Sequence, residues 1–205
     1  MERWLERARR RASSRPGEQR CARRRVLRKR VSLGRASTIV LPMRNVFWLL
    51  PHRLGGRPGP DRAAWDLRLL RDAGVGAVLS VNDGLLCHPP DFAAAGIAYA
   101  CVPLADNAPP QLGDEQVCLE ALPKAYAFVA EQLARDRVTL VHCSSGKDRT
   151  GLLLAYWSMR AEGHSAEAAI DRVRSVRPIA FTAIGWDELA LDVLRGCGAR
   201  CQSAF

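Results

Sequence analysis

Long apolar runs are missing from this 205-residue chain. Nothing in it approaches the roughly 18 uninterrupted apolar residues of a membrane-spanning helix. The most apolar stretch near the front, Val46 to Pro51, is far too short, and the protein reads as soluble. Missing too is the apolar core of a secretory signal ahead of a small-residue cleavage site. The seven cysteines are odd in number and include no Cys-x-x-Cys pair, which speaks against a disulfide framework. A reducing, cytoplasmic setting is expected. Zinc is the rival use of Cys and His, but Cys197 and Cys201 have no matching second pair. The reading is of no metal and no other cofactor, with the cysteines other than Cys143 serving as small buried hydrophobes.

Lysine is scarce as well, 3 residues against 28 arginines, a bias of the kind a GC-rich coding sequence produces. The net charge of +10 is unevenly spread. Residues 1–35 carry 14 basic and 3 acidic groups, whereas residues 36–205 carry 17 and 18, so the remainder is close to neutral. Nucleic acid or an anionic surface would then be met only through the amino-terminal arm, where Arg-Arg-Arg recurs at 9–11 and 23–25. The arm reads as disordered, as a targeting segment, or as the product of a start codon upstream of Met43. The expected division is a basic extension over 1–42 and one folded domain over 43–205, long enough to bury a substantial core. Oligomeric state leaves no mark in the sequence.

From about residue 44 the pattern becomes that of a folded domain. Val46 to Leu50 reads as a short strand, broken by Gly55, Gly56, Pro58, Gly59 and Pro60. Asp61 is placed to cap a helix ending at Gly74. Buried strands are expected at Val75 to Val81, Ile97 to Leu104 and Val138 to His142, with at most a short helix at Asp91 to Ala95. Asp114 to Ala134 has helical spacing, which Pro123 should kink or shorten. Further helices are expected over Thr150 to Glu162, Ser165 to Val176 and Trp186 to Arg195. Strands alternating with helices predict an α/β fold, a central and mostly parallel sheet flanked by helices. Ligands bind beyond the carboxyl ends of strands in such sheets.

The segment Val-His-Cys-Ser-Ser-Gly-Lys-Asp-Arg-Thr-Gly at 141–151 lies there. Ser144 to Asp148 turn the chain from strand to helix, so their backbone N–H groups can form an anion-binding nest, to which the next helix adds its positive end. Such surroundings lower a thiol pKa from about 8.5 toward roughly 3.5 to 7.5. Arg149 supplies a planar fork that grips two oxygens of a phosphate. Nucleophile, cradle and clamp together suit attack on phosphorus. A Walker-type loop is excluded, because Asp148 follows Lys147 and Val141 stands five before Gly146. At this chain's composition the spacing C-x-x-G-x-x-R-T-G arises by chance on the order of 10⁻⁴ times.

The loop resembles the HCxxGxxRTG signature of the cysteine-based protein tyrosine and dual-specificity phosphatases. The likeness extends over roughly residues 44–195, through NVFWLLPHRLGG, VPLADNAPP and RVRSVRP, segments similar to those of small atypical dual-specificity enzymes. It implies a phosphatase-like fold and two-step phosphoryl transfer. Cys143 attacks, while Arg149 and the loop Ser144, Ser145, Gly146, Lys147 and Asp148 hold the phosphoryl oxygens. Thr150 hydrogen-bonds the sulfur. His142 either supports the loop and tunes the thiol or simply packs. The leaving group needs an acid, and Asp106, 37 residues upstream in the family's D-x-x-P-P context, is the candidate. Asp83 is a rival at a different strand end, and Asp114 reads as a helix cap.

Lys147 and Asp148 also resemble loops of bacterial phosphatases that accept phosphoinositides, unless the two pair with each other or with solvent. After Arg177-Pro178 the Gln that positions water in many relatives is absent, and Trp186, Asp187 and Glu188 stand nearby. The expected function is phosphomonoester hydrolysis on a phosphorylated protein or small phosphorylated substrate. The alternatives are a phosphoinositide or inositol-phosphate phosphatase and a non-catalytic phospho-binding module. Sulfur transfer or arsenate reduction is weaker, having no use for Asp106.

Overall fold

The computed structural model describes residue 43 and residues 45–202, with no side-chain description beyond residue 199. The basic extension assigned to 1–42 lies outside the described residues. Among the described residues five strands, β1 (Phe47–Leu50), β2 (Leu54–Pro58), β3 (Val75–Ser80), β4 (Ala98–Cys101) and β5 (Val138–Cys143), form one sheet in the order β1-β2-β5-β3-β4. Only the β1–β2 pair is antiparallel. The α/β architecture and mostly parallel sheet expected from the sequence are those found.

Period-two alternation splits the apolar residues of neighbouring strands between two layers. Leu79 and Val141 face a large core built with α3 (Asp114–Ala134), α4 (Asp148–Glu162), α5 (Ala166–Val176) and α6 (Trp186–Gln202). Val78 and Leu140 face a smaller one with α1 (Leu67–Asp72) and α2 (Pro89–Ala94). Helix α4 is buried continuously from Thr150 to Ser158. A helix covered on all sides is a central element, and truncating any one of Leu152, Leu153 or Leu154 to Ala costs about 2–5 kcal/mol. That rigidity holds the first turn of α4, which carries Arg149 and Thr150.

Several expectations needed correction. Strand β2 was hidden among the glycines and prolines assigned to a loop. Its Gly55 is required because a Cβ there would lie 2.7 Å from the Phe47 carbonyl oxygen of β1. Asp61 caps no helix; α1 is shorter than expected and takes Asp66 as its cap, whose Oδ1 accepts the amides of Arg68 and Leu69. Helix α3 runs its full 21 residues through Pro123, because packing of Leu119, Leu122 and Val129 outweighs one missing amide donor. Helix α6 extends past Arg195 to Gln202. Cys101 is exposed, whereas Cys87, Cys118 and Cys197 are buried; Cys21 and Cys201 lie outside the residues whose side chains are described.

Candidate active site

Strands β2, β5 and β3 stop nearly level, with Pro58 beside Cys143 and Ser80 beside His142. Cys143 therefore emerges at the carboxyl end of the central strand, only 2% exposed. From there Ser144 to Lys147 turn the chain into α4, whose first residue is Asp148. The turn has a directional bias. The carbonyl of Ser144 accepts the amide of Gly59, those of Ser145 and Gly146 accept the Arg177 guanidinium, and that of Lys147 accepts Gly151 N–H. Three of the loop's carbonyls are thus engaged from other segments, and the fourth, that of Lys147, by the first turn of α4. The amides of Ser145, Gly146 and Lys147 show no hydrogen bond among the described residues, and donors left open in such a turn can serve an anion.

Gly146 is indispensable to this turn. Its φ is +59°, and an added Cβ would fall 2.5 Å from the Arg57 carbonyl oxygen and 2.6 Å from the Pro58 nitrogen. Arg57 itself is nearly buried. Its guanidinium donates to the carbonyls of Pro58 and Ala63 at 3.3 and 3.2 Å and lies 4.6 Å over the Trp65 ring. Burial lowers its pKa to about 10, still cationic at neutral pH.

The structure brings the predicted site residues together in two groups, Cys143 with Thr150 and Asp106 with Arg149. Thr150 Oγ1 donates to Cys143 Sγ at 3.2 Å, both groups buried. Arg149 forms an ion pair with Asp106, which stands on the β4–α3 loop with its side chain largely exposed. Asp106, His142, Ser144 and Arg149 line one groove of about 260 Å³. Ser144 Oγ donates to Asp61 Oδ2 at 2.5 Å. Lys147 and Asp148 pair with each other at 3.5 Å, and Asp148 Oδ1 also accepts the amide of Ala183.

The β4–α3 loop has its own frame. Asp114 is not the cap of α3, a place taken by Gly113. Its buried carboxylate instead accepts Asn107 Nδ2 at 2.9 Å and the Gln111 amide at 2.7 Å. Trp186 Nε1 donates to the Asn107 carbonyl at 2.9 Å. Both contacts fix the residue next to Asp106 while leaving Asp106 on the outside. Asp83, the other rival, is exposed and accepts the amide of Leu85.

Behind the loop, burial pushes His142 down to about 4, so its ring is neutral at physiological pH and has one N–H. Nδ1 faces the Cys143 carbonyl at 3.4 Å, and Nε2 faces Ser80 Oγ at 2.5 Å. A carbonyl only accepts, so Nδ1 carries the hydrogen. Nε2 then accepts from Ser80, which accepts in turn from Tyr99 at 2.8 Å. Burial raises the Tyr99 phenol and keeps it a donor. Ser80, Tyr99, Arg57 and Arg177 were not picked out from the sequence. The last two were visible only as an arginine in a glycine-rich run and one before a proline. Among the described residues no group of three or more His, Cys, Asp or Glu is placed to hold a metal ion.

Residues 63–188 match the family described as dual specificity phosphatase, catalytic domain, and the chain belongs to this family. It is 30% identical over 137 residues to dual specificity protein phosphatase 12 of Mus musculus, 66% of this chain but 38% of that protein. It is also 30% identical over 132 residues to dual specificity phosphatase 28 of Mus musculus, covering 64% and 75%. Among solved structures it superposes on Tk-PTP in the active form with a TM-score of 0.62 at 21% identity, covering 77% of this chain and 99% of that one. On PTPMT1 in complex with PI(5)P the TM-score is 0.60 at 19% identity, covering 76% and 98%. At these identities the structural likeness shows the fold.

Proposed function

We propose that the protein is a dual-specificity-type phosphatase that hydrolyses phosphomonoesters through a phosphocysteine intermediate. The observation that carries this is a buried thiol at the end of the central strand with the Thr150 hydroxyl on its sulfur, next in the chain to the groove in which Arg149 and the loop-borne Asp106 are paired. The Cys143 sulfur attacks phosphorus as a thiolate, and the bond to the leaving oxygen breaks. Asp106 gives that oxygen its proton. Arg149 and the loop amides hold the phosphoryl oxygens through the transition state. Water then attacks the phosphocysteine and loses a proton to Asp106. The S–P bond breaks to return the thiolate, whose charge the Thr150 hydroxyl stabilises. The reducing cytoplasm is the setting that keeps such a thiol reduced; no helix among the described residues is long and apolar enough to cross a membrane.

The test is phosphate release from p-nitrophenyl phosphate. Cys143→Ser should be inactive. Asp106→Ala should lose activity on alkyl or phenyl esters but much less on an ester whose leaving group needs no proton. Full activity in Cys143→Ser would end the proposal.

A further inference from the structure

Beside the cradle, the groove is walled by Asp61, Asp83, Leu85, Leu86 and Asp106, and Arg149 is its one cationic side chain among the described residues. Lys147 does not line it and is turned to Asp148. Asp61 is engaged by Ser144 and has Arg62 at 3.7 Å, and Asp106 by Arg149. Among the described residues Asp83 accepts the backbone amide of Leu85 alone. Leu85 and Leu86 are 80% and 65% exposed, so one short turn presents a solvated carboxylate followed by two bare leucines. Adjacent exposed apolar side chains at the mouth of a site mark a contact surface.

A substrate whose phosphate sits in the cradle sets its next groups against this turn. An apolar group and a cation complement it. A second phosphate meets Asp83 and Asp61 with like charge, and the surface of an anionic bilayer meets the same repulsion. We propose that the turn Asp83 to Leu86 is a specificity surface selecting singly phosphorylated polypeptide segments with an apolar and a basic residue beside the phosphorylated one. Multiply phosphorylated inositol head groups are disfavoured there. The inference rests on the cradle holding a phosphate, as in the reading above, and not on turnover.

The test uses two phosphotyrosyl peptides, each with Leu next to the phosphotyrosine and either Arg or Glu beyond it. Binding is measured to the full chain carrying Cys143→Ser. Competition with inorganic phosphate at constant ionic strength restricts the reading to cradle-bound ligand. The Arg peptide should bind about threefold to fivefold more tightly, the range of an exposed ion pair. In the same background Asp83→Asn should level the preference and Asp83→Lys invert it, whereas Asp72→Lys on α1, the same charge change elsewhere, should leave it intact. A preference unchanged by Asp83→Lys would overturn the inference. So would inositol bisphosphate competing more tightly than the Arg peptide. Because Cys143→Ser does not turn over, either failure leaves the proposed reaction standing, and an inactive wild type that keeps the preference would count against the reaction alone.

Discussion

Arg177 and Gly146 are joined across the active-site loop by a 3.1 Å hydrogen bond from Nε to the glycine carbonyl, and a second nitrogen of the same guanidinium holds Ser145 O at 3.2 Å. The guanidinium also lies 5.1 Å over the Phe47 ring. One planar cation thereby fixes two carbonyls of the loop proposed to cradle the phosphate. Arg177→Ala should let these peptides rotate and weaken binding of substrate and of oxyanion inhibitors about tenfold or more, the scale of charge-assisted bonds. Arg177→Lys should recover only part, since an ammonium cannot reach both oxygens in one plane. Inhibition constants for vanadate in the three proteins check this.

Gly146 and Gly163 both have positive φ, yet substitution should cost very different amounts. At Gly163 an added Cβ meets nothing within 4 Å, so Gly163→Ala should lower stability by about 1 kcal/mol and leave activity alone. At Gly146 the methyl collides with the backbone of β2. The loop must shift, and a displacement near 1 Å costs on the order of 100-fold in rate. Thermal melts and steady-state kinetics of the two variants separate the effects.

The neutral state of His142 predicts a stability slope. Its folded pKa is about 4, against 6.5 unfolded, so between these values the unfolded chain binds the extra proton. Stability from keeping the ring neutral is complete above about pH 6.5 and drains away as pH falls toward 4, by about 3 kcal/mol. Denaturant midpoints of the wild type should fall more steeply across this window than those of His142→Asn. Parallel curves would refute the assignment.

Thr150→Val removes the hydroxyl while keeping the shape. The sulfur then leaves phosphorus without its donor, so breakdown of the intermediate should slow by about tenfold or more. A burst of p-nitrophenol followed by slow turnover should appear, and Thr150→Ser should abolish the burst.

The sequence revealed the elements that follow simple periodicity, such as α3, α5 and β5, and it revealed the loop because its chemistry is local. Cys143 through Thr150 are contiguous, so their types and spacing state the site directly. Contacts between distant segments were not legible. Strand β2 was lost because close approach of β1 demands glycines, the residues that ordinarily mark turns. Asp114 reads as a helix cap in the sequence because nothing local tells that its carboxylate is claimed by Asn107 and Gln111. The chain His142–Ser80–Tyr99 depends on β3 lying between β4 and β5, an order that no local pattern encodes.

The central claim is covalent and can be observed directly. Wild-type protein mixed with p-nitrophenyl phosphate, quenched in acid within the first turnover and digested, should show by mass spectrometry one phosphoryl group on the peptide containing Cys143. Phosphate released with that peptide unmodified, or with the phosphoryl group on another residue, would contradict the mechanism.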